Sequence, residues 1–410
     1  MTLLPARRAA QVFLVLAVGY FLSSVMRAVT GTLAPTLAAE LTLGEGQLGL
    51  LAGSYFLGFA AMQLPLGAWL DRHGPRRVLV GLLSVAAVSC VAFALAGTFW
   101  SLLVARLLGG IGVSACLMAP LAGYRSWLAP HLQIRASSWM LMSGSVGLVA
   151  ATLPVQWALP VIGWRPLFGI LAALFAVTIA GTAWQLPAWT AAGAAPPVAA
   201  RTGYGTILRS RYFRSIAPLA LIPYGSVIAV QTLWATQWMT HVAGYSPQEA
   251  ANGLFAINLT MLVIHWLWGT ITPRLASAGL TADRLMRWGV PLGVSALAAV
   301  ALAGDRAGWG ALAACLALAS SLSMAHPAVV MAFPPQQAGR AATAFNLLLF
   351  LGAFGWQWLI GVFVDRLRAR QWSDIASYRA AFGALAVAWA LAYVWFAVGG
   401  LRRDRAPPRT

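Results

Sequence analysis

Arg27 stands in the stretch SSVMRAVTG, well inside a run of apolar and small residues covering about 11–38. The nine acids are Glu40, Glu45, Asp71, Glu249, Asp283, Asp305, Asp365, Asp374 and Asp404, and all fall at the ends of such runs, in connections or in the tail. No carboxylate within a run can neutralise the guanidinium. A buried, unpaired charge is costly, so Arg27 is expected to face a wet cavity or an anionic ligand. The planar fork of Arg suits a carboxylate, which it can hold by two parallel hydrogen bonds.

Further polar side chains recur at helical spacing in equally apolar surroundings. Gln231, Trp234 and Trp238 follow i, i+3, i+7, as do Asn258, Met261 and His265. His326, Asn346 and Tyr55 stand in other runs, with Gln63 and Gln156 beside them as weaker candidates. Such groups on an otherwise apolar helix can line a cavity; their other use is hydrogen bonding between helices. The expected substrate-binding set is Arg27, Tyr55, Gln231, Trp234, Asn258, His265, His326 and Asn346. Histidine titrates near neutral pH, so His265 and His326 are also the expected carriers of a coupling proton.

Other chemistries find little support. There is no H-E-x-x-H, no G-x-S-x-G and no acid pair within a run, so no enzyme activity is expected. All 27 basic residues are Arg, and without Lys no phosphate-binding G-x-x-x-x-G-K-[ST] loop exists. Cys90, Cys116 and Cys315 lie far apart in apolar runs and read as small buried hydrophobes. Met239 with His241, Met261 with His265 and Met324 with His326 would suit a Cu(I) path. A Cu(I) importer is therefore one alternative function, and a non-transporting receptor or scaffold is another. No cofactor and no resident metal are expected.

The elements that must hold these residues follow from composition. The chain of 410 residues is 60% hydrophobic and 9% charged, with mean hydropathy +0.77. A soluble domain carries about a quarter charged residues; a bilayer solvates the excess apolar surface instead. Runs of about 20 apolar residues span a membrane as helices. Twelve occur, near 11–38, 47–70, 76–98, 100–123, 137–161, 165–186, 213–239, 247–270, 285–303, 307–332, 339–363 and 377–399. The expected fold is an all-α integral membrane protein. The first run is read as an uncleaved span. Nineteen of the 27 Arg residues fall on the side of the N-terminus, which places both termini in the cytoplasm; Arg366, Arg368, Arg370 and Arg379 depart from the rule.

The longest connection, rich in Ala, Pro and Gly, divides the spans six and six. The expected organisation is an N-terminal half over 1–186, a cytoplasmic linker over 187–212 and a C-terminal half over 213–410. Two repeated halves around a central path are the plan of many secondary transporters.

Between spans two and three the chain reads GAWLDRHGPRR, with Gly67, Asp71, Arg72, Gly74, Arg76 and Arg77 at characteristic spacing. This resembles the signature loop of the major facilitator superfamily, and the twelve-span, two-half layout is similar throughout. Arg106, Gly110 and Gly112 resemble its R-x-x-x-G-x-G pattern, and Gly163-Trp164-Arg165 its G-W-R before span six. Gly67 is expected to admit a neighbouring helix, and Gly74-Pro75 to form the turn. Asp71 ends a helix, where the macrodipole disfavours an anion, so it needs a partner. Arg72, Arg76 and Arg77 are local candidates. The resemblance implies that Asp71 faces the start of span eleven, near Gly339 and Arg340, and holds the cytoplasmic side closed. With Arg106, the motif residues form the expected conformational latch. The equivalent second-half loop, GTITPR, has Pro273 in place of the Asp.

These readings converge on a secondary transporter that moves a small organic anion or zwitterion by alternating access. Its expected setting is a bacterial inner membrane, as a monomer. Its partners would be the lipid bilayer and a small-molecule substrate, with no nucleic acid.

Overall fold

Apolar runs of this length are stable in lipid as helices, because each backbone N–H and C=O is then satisfied within its own segment. The computed structural model describes residues 3–189 and 204–404, apart from side chains at 130, 134, 273, 276, 335, 336 and 400–404. Residues 190–203 of the expected linker, with Arg201, lie outside the described residues, as do Arg405 and Arg409; the side chains of Pro273, Arg402 and Arg403 are likewise not described.

Ten helices are long and apolar enough to cross a membrane, and one bent pair adds another span. The helix Glu45–Ala94 is 50 residues long and is broken at Gly74, so it carries two spans. The described chain thus holds the twelve-helix fold, all-α and membrane-embedded. Large apolar side chains point outward where lipid would solvate them, among them Trp184 at 83% exposure and Leu95 at 80%.

One unit comprises the described residues of Met1–Leu43 and Leu50–Pro196. It contains α1 (Ala6–Leu41), most of α2 (Glu45–Ala94), α3 (Phe99–Val113), α4 (Met118–Trp127), α5 (Pro130–Ala150), α6 (Leu153–Ile162) and α7 (Trp164–Gln185). Small residues set its packing. A side chain at Gly147 of α5 would meet the Phe21 carbonyl of α1 at 2.4 Å, and one at Gly144 would meet the Tyr20 ring at 2.3 Å. The expected fifth span is bent by 45° between α5 and α6. Pro154, at the start of α6, has no N–H to continue the ladder.

The second unit comprises Gly44–Gly49 and the described residues of Pro197–Thr410. It contains the short α8 (Tyr204–Arg209), then α9 (Arg211–Leu219), α10 (Gly225–Ala229) and α11 (Ala235–His241), which form one span. The other spans are α12 (Pro247–Ser277), α13 (Ala282–Ala303), α14 (Trp309–Ala319) with α15 (Ala325–Met331), α16 (Pro335–Arg368) and α17 (Asp374–Asp404). Two π-helical segments, Ala220–Tyr224 and Val230–Trp234, interrupt the α9–α11 span. Pro218 and Pro223 remove backbone donors where the first begins and ends. Directly after it, Gly225 packs against the backbone of Gly352 in α16, where an added Cβ would have 2.6 Å.

Candidate functional site

In the first unit, one stretch of α3 holds three neighbouring segments. Arg106 Nη1 donates to the Met26 carbonyl of α1 at 2.7 Å. A Cβ at Gly110 would stand 1.9 Å from the Tyr55 carbonyl, in α2 before Gly74. One at Gly112 would stand 2.3 Å from the Ala86 nitrogen, in α2 beyond Gly74. The R-x-x-x-G-x-G pattern therefore has a packing cause: two bare positions permit backbone approach, and the Arg ties the third contact. Arg106 also lies over the Tyr55 ring, 5.0 Å from its centroid. Grouped by sequence with the loop latch, Arg106 belongs by position to the interior around Arg27.

Arg27 sits one residue beyond Met26. Its guanidinium lies by the phenols of Tyr20 and Tyr55, and 6.0 Å from the centroid of the Phe59 ring. Tyr55 is fully buried and donates to the Ser23 carbonyl at 3.1 Å. The Nε of Arg27 and the Nε and Nη2 of Arg106 are buried without hydrogen-bond partners among the described residues. Glu40 is committed elsewhere, accepting from Arg165 Nη1 and Trp164 Nε1, each at 2.6 Å. That arrangement accounts for the G-W-R triplet, which ties the start of α7 to the end of α1. Tyr20 escaped the sequence reading, although it lies seven residues before Arg27 and thus two turns away on the same face.

In the loop, Gly74 has φ 75° and ψ 164°, which glycine adopts at little cost. The Cβ of Trp189 lies 2.2 Å from where a Gly74 Cβ would be. Among the described residues of its unit, nothing outside the neighbouring backbone of its own helix lies within 4 Å of a would-be Cβ at Gly67. The close packing falls on Gly74, where the chain turns, rather than one helical turn earlier. Asp71 and Arg72 are exposed, and within their unit Asp71 forms no ion pair with Arg72, Arg76 or Arg77.

In the second unit, Gln231 Nε2 donates to Asn258 Oδ1 at 2.9 Å, and Asn258 Nδ2 donates to the Leu254 carbonyl at 3.0 Å. Gln231 and Trp234 lie in the second π segment, so the i, i+3, i+7 face is not preserved. Trp234 and Trp238 are fully buried. Trp234 faces the Tyr378 ring at 6.3 Å with its Nε1 unpartnered, whereas Trp238 donates to the Ala307 carbonyl at 2.8 Å. Asn346 is buried, and His326 meets Phe345 edge-on at 5.8 Å. His265 is exposed and does not share the burial of Asn258 and Met261.

The same unit holds a polar cluster that the sequence did not announce. Glu45 has 4% exposure and is the one buried acid among the described residues. It accepts from Gln237 Nε2 at 2.9 Å and from Arg368 Nη1 at 3.1 Å. His241 lies 3.5 Å from Glu45 and 3.7 Å from Asp374, and Arg368 Nε also donates to Asp374 at 2.8 Å. Asp365 caps the start of α2, accepting from the Gly46 nitrogen at 2.8 Å and the Glu45 nitrogen at 3.1 Å. The Arg residues that break the charge rule thus include one with a specific internal role. Glu45 stands just ahead of its apolar run, so nothing in its local sequence marks it as buried.

Comparison with known proteins supplies a further finding. The profile described as Major Facilitator Superfamily matches residues 16–356. Multidrug resistance protein MdtH of Klebsiella pneumoniae is 31% identical over 195 residues, 48% of this chain and 47% of that protein. The hexuronate transporter of Escherichia coli is 30% identical over 156 residues, 38% of this chain and 36% of that one. The matched stretches thus span less than half the length of these relatives. Among solved structures, a bacterial homologue of the human lysosomal transporter Spinster superposes with TM-score 0.75 at 20% identity, covering 99% of this chain and 100% of that one. At that identity the likeness concerns the fold alone.

Proposed function

Since this chain belongs to the Major Facilitator Superfamily, we propose that it is a secondary transporter for a small organic anion or zwitterion, working by alternating access. The observation that carries the substrate class is Arg27. Its guanidinium lies by two phenols, one of which also underlies Arg106, its Nε is unpartnered, and no carboxylate of its unit is paired with it. Donors without acceptors favour an anion. Tyr20 and Tyr55 would orient the solute there; within the second unit, taken by itself, Gln231, Trp234, Asn258 and Asn346 are the candidate recognition groups. One relative is named for hexuronate, which carries a carboxylate, and that supports the reading.

The protein acts in this reading as a monomer in the inner membrane, with both termini cytoplasmic. The Cu(I) alternative loses support at His241, which stands between Glu45 and Asp374.

The test is thermal stabilisation of the purified protein by carboxylates, amino acids and Cu(I), paired with uptake into proteoliposomes. A ligand at 100 times its Kd stabilises by about 2.7 kcal/mol. Carboxylates should stabilise the wild type, Arg27→Ala should abolish both stabilisation and uptake, and Arg27→Lys should restore them in part, because a point charge lacks the fork. Normal uptake by a well-expressed Arg27→Ala protein would overturn the assignment.

A further inference from the structure

Two cavities adjoin the loop at Gly74 and share His73, Arg77 and Gly81. The first, of about 610 Å³, is lined by His73, Arg76, Arg77 and Trp189 together with small and apolar residues of α2 and the end of α7. The second, of about 500 Å³, continues along Met62, Trp69, Leu82, Val85 and Ile111.

The polar side chains of the first cavity bring donors and positive charge and no carboxylate. Among the described residues none of His73, Arg76 and Arg77 has a hydrogen-bond or ion-pair partner, and Trp189 Nε1 is buried and unpartnered. Arg76 and Arg77 also open the helical arm after Pro75, where the macrodipole is already positive. The neighbouring residues 190–203, TAAGAAPPVAARTG, contain no acid that could supply the missing charge. An anion held by these donors would therefore come from outside the segment. The second cavity offers it no polar side chain beyond the shared His73 and Arg77 and the Trp69 indole, and its aliphatic remainder would accept an alkyl chain.

We propose that the paired cavities seat one anionic phospholipid, its phosphate held by Arg76, Arg77, His73 and the Trp189 indole, and one acyl chain lying along Met62, Leu82 and Ile111. Basic pockets between spanning helices at a membrane face hold anionic headgroups by this chemistry, and an indole at the headgroup level suits its amphipathic ring. The apolar continuation separates this reading from a free-phosphate site. The site is distinct from the Arg27 cluster and does not depend on which solute is transported.

The full chain, delipidated in detergent, is titrated with phosphatidylglycerol or phosphatidylcholine of matched chains, and bound lipid is read by native mass spectrometry. The wild type should retain phosphatidylglycerol at about tenfold lower concentration, the order expected for one or two basic contacts. Arg76→Gln with Arg77→Gln should remove that preference, and Trp189→Phe, which keeps the ring but not the N–H, should weaken it. Millimolar inorganic phosphate should leave the bound lipid in place. Equal retention of both lipids by the wild type, or an undiminished preference in the double variant, would overturn the proposal. Displacement by inorganic phosphate would replace it with a free-phosphate site. If the double variant is not monodisperse on size exclusion, Trp189→Phe decides, and an unchanged preference there rejects the site.

Discussion

Arg368 donates to Glu45 at 3.1 Å while its Nε holds Asp374 at 2.8 Å, so one guanidinium joins a buried carboxylate to a half-exposed one. His241 stands within 3.7 Å of both acids. Glu45 is the one buried acid among the described residues, whereas the expected carriers of a coupling proton are His265 and His326. Glu45→Gln keeps the side-chain shape and removes the charge. It is expected to abolish uptake driven by a pH gradient while counterflow exchange persists in proteoliposomes. His265→Gln and His326→Gln should retain gradient-driven uptake. The reverse pattern would return the coupling role to the imidazoles.

Arg106 is held by the Met26 carbonyl and the Tyr55 ring, and it fixes α1 where Arg27 stands. Arg106→Gln should lower unfolding stability by about 1–3 kcal/mol, the usual cost of leaving a buried polar group unsatisfied. The melting temperature in detergent reads this. A ligand-stabilised shift that falls more than the apo melting temperature would add a role in positioning Arg27.

Gly110 has the Tyr55 carbonyl where its Cβ would be. Gly110→Val should force α2 and α3 apart, at a cost of about 1–3 kcal/mol or more, and expression should fall with the melting temperature. Gly67→Ala, at a position with open space around it, should leave the melting temperature within error. Equal behaviour of the two variants would refute the packing account of the motif.

Asp71 gives a prediction whose sign is informative. Removing an anion from a helix C-terminus stabilises by about 0.3–1 kcal/mol when nothing else holds it. If Asp71 is a latch, Asp71→Asn should instead increase cysteine labelling of the cytoplasmic vestibule and decrease that of the opposite one. A raised melting temperature with unchanged labelling would show that the charge has no partner that matters for conformation.

The sequence by itself determined the fold class, because apolar runs of spanning length have few stable forms in lipid, and local chemistry placed the break at Gly74-Pro75. It also marked Arg27, since a cation in a run without acids stands out in one dimension. What it could not show were relations that depend on which backbones approach. Tyr20 shares a face of α1 with Arg27, but that its ring packs on bare Gly144 of α5 is a relation between helices. Arg106 is legible as a cation in span four, but its bond to the Met26 carbonyl is not, because it depends on bare Gly110 and Gly112 letting α3 sink against α2. The Gln231–Asn258 bond, and the loss of the shared face with Trp234, follow from a π segment that helical periodicity cannot anticipate. Glu45 reads as a residue at a span edge, and only the tertiary structure made it buried, by bringing Gln237, Arg368 and His241 from distant positions to one carboxylate. Helix formation in lipid is governed by local composition, whereas burial of a charge is governed by partners that the chain order does not reveal.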